Sequence, residues 1–309
     1  MKLLLVFLSL SFYLEAQHLW QKPKAPISQT YLSKLIGPIE KTEPSREINI
    51  LWLYGYDKHH IPGAHDYVKV KDLMTKLLKS VPKVTLDEAY QFPTDAQLSS
   101  ADLIVMYLHF EALDDQKIIK LQNYIEQGGA IVALHESLII RPAEQGAKLS
   151  KCFGCAWNEG RSKWGAIFTD ISIDNHHPIF KNFPTNLTLH DEFYWNLHQE
   201  KDSRILGAVR TGPQGNSKKP IQKSQLTKKP QPVFWTYEIG EGRVFATSAG
   251  HNTFSYYDPE FRLILFRGIA WALVEKPDPF MPLVSSGITQ NGKVGTTNTM
   301  RHWKGKKRK

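Results

Sequence analysis

Gly128-Gly129-Ala130-Ile131-Val132-Ala133-Leu134-His135-Glu136-Ser137 decides how the chain is read. A helical pattern closes at the two glycines. A short apolar run follows and stops at a histidine, a glutamate and a serine. A buried parallel strand has this form: apolar along its length, because both faces are covered, and polar where its carboxyl end opens. In open α/β sheets, ligands sit outside the carboxyl ends of the strands. His135, Glu136 and Ser137 therefore stand where chemistry is expected. The plainer alternative is a strand end with a solvated polar turn.

Working back from that strand, residues 114–127 read as an amphipathic helix with Ile118, Leu121 and Ile125 inward. Residues 102–109 form a strong strand with His109 at its carboxyl end, and residues 84–86 form a weak one. Residues 48–54 are the first core strand. The loop after it holds His59, His60, His65 and Asp66, and a helix follows with Val68, Leu73, Leu77 and Leu78 on its apolar face. A helix amino end favours anions, and His65 and Asp66 fall near it. Asp66 reads equally well as a helix cap, and His59 and His60 read as solvated loop residues. Strands and helices alternate, so a flavodoxin-like, doubly wound and mostly parallel sheet with helices on both faces is predicted.

Downstream the rhythm changes. Residues 141–230 read as a β-rich insertion, with a strand at 166–173, a turn at Asn175-His176-His177-Pro178 and a strand at 205–210. Within it, Thr188-Leu189-His190-Asp191-Glu192-Phe193-Tyr194-Trp195 sets titratable residues among aromatics. Residues 211–230, rich in Gly, Pro, Ser and Lys, read as a mobile loop. A hairpin spans 232–248 across Gly240-Glu241-Gly242 and ends at Gly250-His251. A last helix, 258–274, turns Phe261, Leu265, Ile269 and Leu273 inward. No internal repeat is visible.

The 309 residues suffice for one large domain or two smaller ones, and 41% hydrophobic content excludes a mainly disordered chain. The net charge of +9 is uneven. Lys218, Lys219, Lys223, Lys228 and Lys229 lie in one acid-free stretch. Lys293, Arg301, Lys304, Lys306, Lys307, Arg308 and Lys309 lie in another. Together they exceed the whole net charge, so the rest of the chain is mildly acidic. That argues against a nucleic-acid partner, which needs cations organised on a fold. Residues 1–16 read as a secretory signal peptide: Lys2, an apolar core, then Leu14-Glu15-Ala16. The apolar run is too short to span a bilayer as a transmembrane helix. The expected product is an exported protein, periplasmic or extracellular, without a transmembrane span. Residues 17–46 read as an extended leader, 47–284 as the α/β domain and 285–309 as a basic disordered tail. Cys152 and Cys155 form a C-x-x-C whose readings are a structural pair, a disulfide, or a metal or redox site.

At this point the chain resembles the ThuA-like (trehalose-utilisation) family, a branch of the class I glutamine-amidotransferase-like fold. The resemblance rests on His65-Asp66-Tyr67, Gly128-Gly129 into Leu134-His135, His177-Pro178-Ile179 and Asp191-Glu192-Phe193-Tyr194. It rests further on Pro232-Val233-Phe234-Trp235, Gly242-Arg243-Val244-Phe245, Gly250-His251 and Gly268-Ile269-Ala270-Trp271-Ala272, in that order. It implies carbohydrate handling, on oxidised (keto) sugars among others. Two departures matter. The related amidotransferases carry a cysteine nucleophile after the strand that here ends at His135, and this chain has none there. Around Cys152 to Trp157, where the family's glycine-rich stretch is expected, Gly154 remains and Cys155 replaces a small residue.

The polar residues at strand ends suggest the chemistry. His135 and His251 are the acid/base candidates, because imidazole exchanges protons near neutral pH. Asp191 or Glu192 would be the orienting or second catalytic carboxylate. His65, Asp66, His109, Glu136, Tyr194 and Trp164 are candidate substrate-binding residues. Phe193 and Trp195 are further aromatic faces for a sugar, with burial in the core as the alternative. His65, His135 and His251 form a candidate metal set for a divalent ion such as zinc. No H-E-x-x-H pair is present, so the ligands would come from distant loops. A Ser137 nucleophile lacks the G-x-S-x-G context. Three readings follow: a sugar-processing enzyme, a non-catalytic carbohydrate-binding protein of the same fold, and an interaction protein acting through its basic tail. The expected partner in the first two is a carbohydrate or small molecule.

Overall fold

Strand residues with a period of two divide the core into two layers. In the computed structural model, which describes residues 24–56, 63–212 and 225–287, Ile48–Tyr54 (β1) sends Ile48, Ile50 and Trp52 to one side and Leu51 and Leu53 to the other. Leu103–Tyr107 (β3) and Ala130–Leu134 (β4) divide in the same way. The alternation follows from Cβ atoms pointing to opposite faces of a strand. The first layer is closed by Tyr67–Leu78 (α2) through Val70, Met74 and Leu78, and by the helix Pro259–Ala272. The second is closed by Asp115–Glu126 (α4) through Ile118, Leu121 and Ile125, and by Ala143–Phe153 (α5). Between α2 and β3 lie β2 (Val84–Tyr90) and the short α3 (Asp95–Ser100).

One nine-stranded sheet carries both layers, in the order β2-β1-β3-β4-β11-β10-β9-β6-β7. Here β6 is Lys163–Ile173, β7 Asn186–Trp195, β9 Arg204–Gly212, β10 Gln225–Ile239 and β11 Gly242–Thr247. The strands from β2 to β11 pair in parallel, as predicted. The other half is antiparallel. Two short strands, β5 (Cys155–Ala156) and β8 (His198–Gln199), pair separately.

The stretch 141–230, read as a β-rich insertion, is rich in strands: β6, β7, β9 and the start of β10 join the central sheet, while β5 and β8 pair apart from it. Alternating burial lets β6 bury one face while the other stays open. Among the described residues, β6 pairs with β9 at Ser172 and Ile173. The amide of Asn196, just after β7, donates to Gln231 Oε1 on β10 at 2.7 Å, which ties the end of β7 to β10. The extended strands β9 and β10 also reach into 211–230, where a loop was predicted.

The leader is not wholly extended. Gln29–Ile36 is a helix (α1), capped by Ser28 Oγ accepting from the Tyr31 amide at 3.1 Å and burying Leu32 and Leu35. Flanking prolines hid it in the sequence. The last long helix, Pro259–Ala272, is α6. The predicted signal peptide (1–16), His59, His60, Lys218, Lys219, Lys223 and residues 288–309 lie outside the described residues. No helix among the described residues is long and apolar enough to cross a membrane.

Candidate functional site

Three parallel strands deliver one histidine each to the carboxyl edge of the sheet. His135 follows β4 directly, and His251 follows β11 after a short turn. His65 lies in the loop between β1 and α2, and its amide donates to the His251 carbonyl at 3.0 Å. His65 and His135 both hold left-handed backbone conformations, with φ of 52° and 51°. Such angles are uncommon for residues with a Cβ and concentrate where structure over-determines them for function. His135 occupies the tight turn directly after β4, where the chain has no cysteine.

The imidazoles face one another. His65 Nε2 lies 3.1 Å from His135 Nε2 and 2.9 Å from His251 Nδ1, and the latter two are 3.3 Å apart. Glu192, from β7, places Oε1 3.6 Å from His135 Nε2 and 3.7 Å from His251 Nδ1. All four ligand atoms lie within 4.8 Å of one another. The Tyr194 hydroxyl is 3.0 Å from His135 Nε2.

The outer contacts fix the tautomers. His135 Nδ1 lies 2.7 Å from the Ser248 carbonyl, which only accepts, so Nδ1 carries the proton and Nε2 presents a lone pair. His65 Nδ1 lies 3.5 Å from Glu136 Oε2, which orients its Nε2 inward in the same sense. The His65 and His135 lone pairs thus face each other, with the Tyr194 hydroxyl, the His251 ring and the Glu192 carboxyl around them. A cation resolves that arrangement. The close distances also match the edge of a tetrahedron with metal–nitrogen bonds of about 2.05 Å, which is about 3.3 Å. The donor set of three imidazoles and a carboxylate suits zinc or a neighbouring divalent transition metal.

Burial holds the His135 and His251 pKa values well below the ordinary value, and the facing imidazoles add to the effect. Both are therefore neutral, as ligands must be. Burial raises the Glu192 carboxyl to about 8, against the attraction of His65. Glu136 shows the opposite balance. Its burial would raise the pKa, but the hydrogen bond from His109, the charge of His65 and the Tyr67 hydroxyl outweigh this and lower it.

The remaining predicted residues divide by position. Glu136 lies behind the cluster, where it joins His65, His109 (Nδ1 to Oε1, 3.1 Å) and the Tyr67 hydroxyl. His109 thus meets the cluster through Glu136. Asp66 holds the N-cap position but caps nothing. Its Oδ2 accepts instead from the Gly63 amide at 3.0 Å and the Thr253 hydroxyl at 2.6 Å. Asp191 also stands apart: its oxygens accept from the Gly250 and His251 amides at 2.9 and 3.0 Å and from Ser255 Oγ at 2.8 Å. Ser137 donates to the Leu134 carbonyl and is fully buried. Phe193 and Trp195 are core residues, whereas Trp164, opposite Tyr194 in the β6–β7 register, is 38% exposed.

Cys152 and Cys155 are free, buried thiols outside the cluster, and burial pushes the Cys152 pKa up to about 12. Two participants escaped the sequence reading. Tyr67 was visible only as the residue after His65-Asp66. The Ser248 carbonyl is a backbone group that no sequence pattern marks. Beside His65, Tyr67 and Tyr56, a cavity of about 330 Å³ opens to the surface.

A mixed α/β sheet with a histidine–carboxylate cluster at its carboxyl edge defines the class of protein. The family model described as "ThuA: Trehalose utilisation" matches residues 50–272, and the chain belongs to that family. A ThuA-like protein from Parabacteroides merdae aligns with a TM-score of 0.57 at 16% identity, covering 74% of this chain and 90% of its own. One from Bacteroides uniformis aligns with a TM-score of 0.57 at 19% identity, covering 76% of this chain and 95% of its own. At such identities the likeness is one of fold. A search of curated proteins gave no match.

Proposed function

We propose that the protein holds a divalent transition metal ion such as zinc on His65, His135, His251 and Glu192. We further propose that it acts there on a carbohydrate or an oxidised (keto) sugar derivative. The observation that carries the reading is the convergence of three inward-facing imidazole nitrogens and one carboxylate oxygen, with His135 tautomerically fixed by the Ser248 carbonyl. Family membership supports the sugar, through the description "Trehalose utilisation". A bound ion would supply Lewis acidity to a carbonyl or hydroxyl oxygen of the substrate. The chain's own residues do the rest. Glu136 orients His65, and the Tyr194 hydroxyl is placed to donate a hydrogen bond at the rim of the cluster. The cavity beside His65 and Tyr67 gives access. Glutamine hydrolysis through a thiol does not fit, because neither cysteine belongs to the cluster. Export after cleavage of residues 1–16 belongs to the same proposal and is tested by the mature amino terminus, expected near Gln17.

Elemental analysis after equilibration with zinc tests the centre. Stoichiometric metal in the wild type, lost in His135→Ala/His251→Ala, is expected. Protein that stays metal-free under these conditions defeats the metal reading and returns His135 and His251 to metal-free acid/base roles or to plain sugar binding. Screening keto and parent sugars for turnover then separates enzyme from binder.

A further inference from the structure

The outward face of the β6–β7 pair carries a pattern that the cluster does not use. Directly opposite residues of an antiparallel pair share a face. The register therefore sets Trp164 against Tyr194, Ala166 against Glu192, and Phe168 against His190 on one side. Along β6 that side reads aromatic, small, aromatic. Trp164 is 38% exposed and Phe168 64%. His190 meets the Phe168 ring edge-on at 6.0 Å and lies 5.9 Å from the Phe254 ring. Phe254 in turn comes three residues after His251. The strip therefore begins at two groups of the candidate site, Glu192 and Tyr194, and runs away from it. Trp164 and Phe168 are four residues apart, about 13 Å along a strand, with the small Ala166 between them opposite Glu192.

Exposed apolar patches continuous with a polar site mark ligand grooves. Aromatic rings spaced by small and hydroxyl-bearing residues suit a chain of sugar rings, whose C–H faces stack while their hydroxyl groups hydrogen-bond. Thr188 and Asp170, hydrogen-bonded to each other, supply polar groups at the far end of the same face. We propose that this face is a second sugar subsite, in which Trp164 and Phe168 stack rings of an oligosaccharide whose reacting ring sits at the cluster. The proposal rests on the carbohydrate reading above and adds to it the substrate's extent and the residues that measure it.

The test is calorimetric titration of the zinc-equilibrated full chain with glucose, maltose and maltotriose. Wild type should bind the trisaccharide about tenfold or more tightly than glucose, the size of one to two stacking contacts. Phe168→Ala should remove most of that ratio, and Phe168→Trp should keep it. Phe168 is exposed, so the thermal midpoint and zinc content should match wild type in both variants. Equal affinities for one ring and three, or a ratio unchanged by Phe168→Ala, would overturn the subsite while leaving sugar recognition standing. Failure of wild type to bind any of the three would overturn both readings. A wild-type dimer that Phe168→Ala converts to monomer, with the sugar ratio intact, would make the face a subunit contact and also overturn the subsite.

Discussion

Both carboxylate oxygens of Asp191 accept hydrogen bonds from groups around the turn that carries His251. Donors are the amides of Glu192, Gly250 and His251 and the hydroxyl of Ser255, at 2.8, 2.9, 3.0 and 2.8 Å. Burial raises its pKa, and those same donors pull it back. Removing the carboxylate leaves buried donors without partners, and that desolvation cost exceeds the worth of the bonds themselves. Asp191→Ala should therefore lose on the order of 3–5 kcal/mol of stability. Asp191→Asn, which keeps one acceptor, should lose less. Urea unfolding checks both, and an alanine variant as stable as wild type would contradict the positioning role. The sequence placed Asp191 and Glu192 together and could not separate them. Adjacent strand residues point to opposite faces, so one carboxylate meets the imidazoles and the other meets the turn. That division depends on the register of β7, which only long-range pairing sets.

At the scale of elements, the site is assembled by a clasp between two loops that are distant in sequence. Ala64 bridges Asn252, the His65 amide reaches the His251 carbonyl, and the Thr253 amide reaches the Gly63 carbonyl at 2.8 Å. Asp66 closes the clasp through Gly63 and Thr253. The turn also needs Gly250, at φ 114°, because a Cβ there would stand 2.8 Å from the Tyr256 hydroxyl. Groups that orient metal ligands from behind typically cost ten- to a hundredfold in affinity when lost. Thr253→Val should therefore weaken zinc binding about tenfold while shifting unfolding by about 1 kcal/mol or less. Chelator competition measures the first quantity and denaturant titration the second. Unchanged zinc affinity would mean that the loops hold without the clasp. The parallel strands were legible because each is apolar on both faces and ends in polar residues. The clasp was not, since hydrogen bonds between backbones 186 residues apart leave no mark on composition.

Over the whole molecule, one sheet joins a parallel half that carries the histidines to an antiparallel half that returns Glu192 and Tyr194 to them. Period-two alternation identified β6 as half-buried but carried no information about which sheet it would join. α6 ties the two halves to the amino-terminal helix. Arg267 donates to the Lys181 carbonyl at 2.6 Å and to the Leu35 carbonyl at 2.7 Å. The turn that Arg267 grips is capped by His177, whose Nδ1 accepts from the Ile179 amide at 3.3 Å. Burial, with the nearby Arg204 charge, lowers the His177 pKa to about 4, and Asp174 only partly opposes this. The unfolded chain takes up this proton near pH 6.5, whereas the folded protein takes it up near pH 4. Between those values the unfolded state binds more protons, so stability falls as the pH drops through that window and is complete above it. The loss at pH 4 is on the order of 2–3 kcal/mol. His135 and His251 act in the same direction, so the contribution of His177 has to be isolated by difference. Asparagine caps a helix end without titrating. Urea unfolding of His177→Asn between pH 7 and pH 4.5 should lose about 2 kcal/mol less than wild type over the same interval. Parallel losses in the two proteins would show that the cap does not titrate in this range.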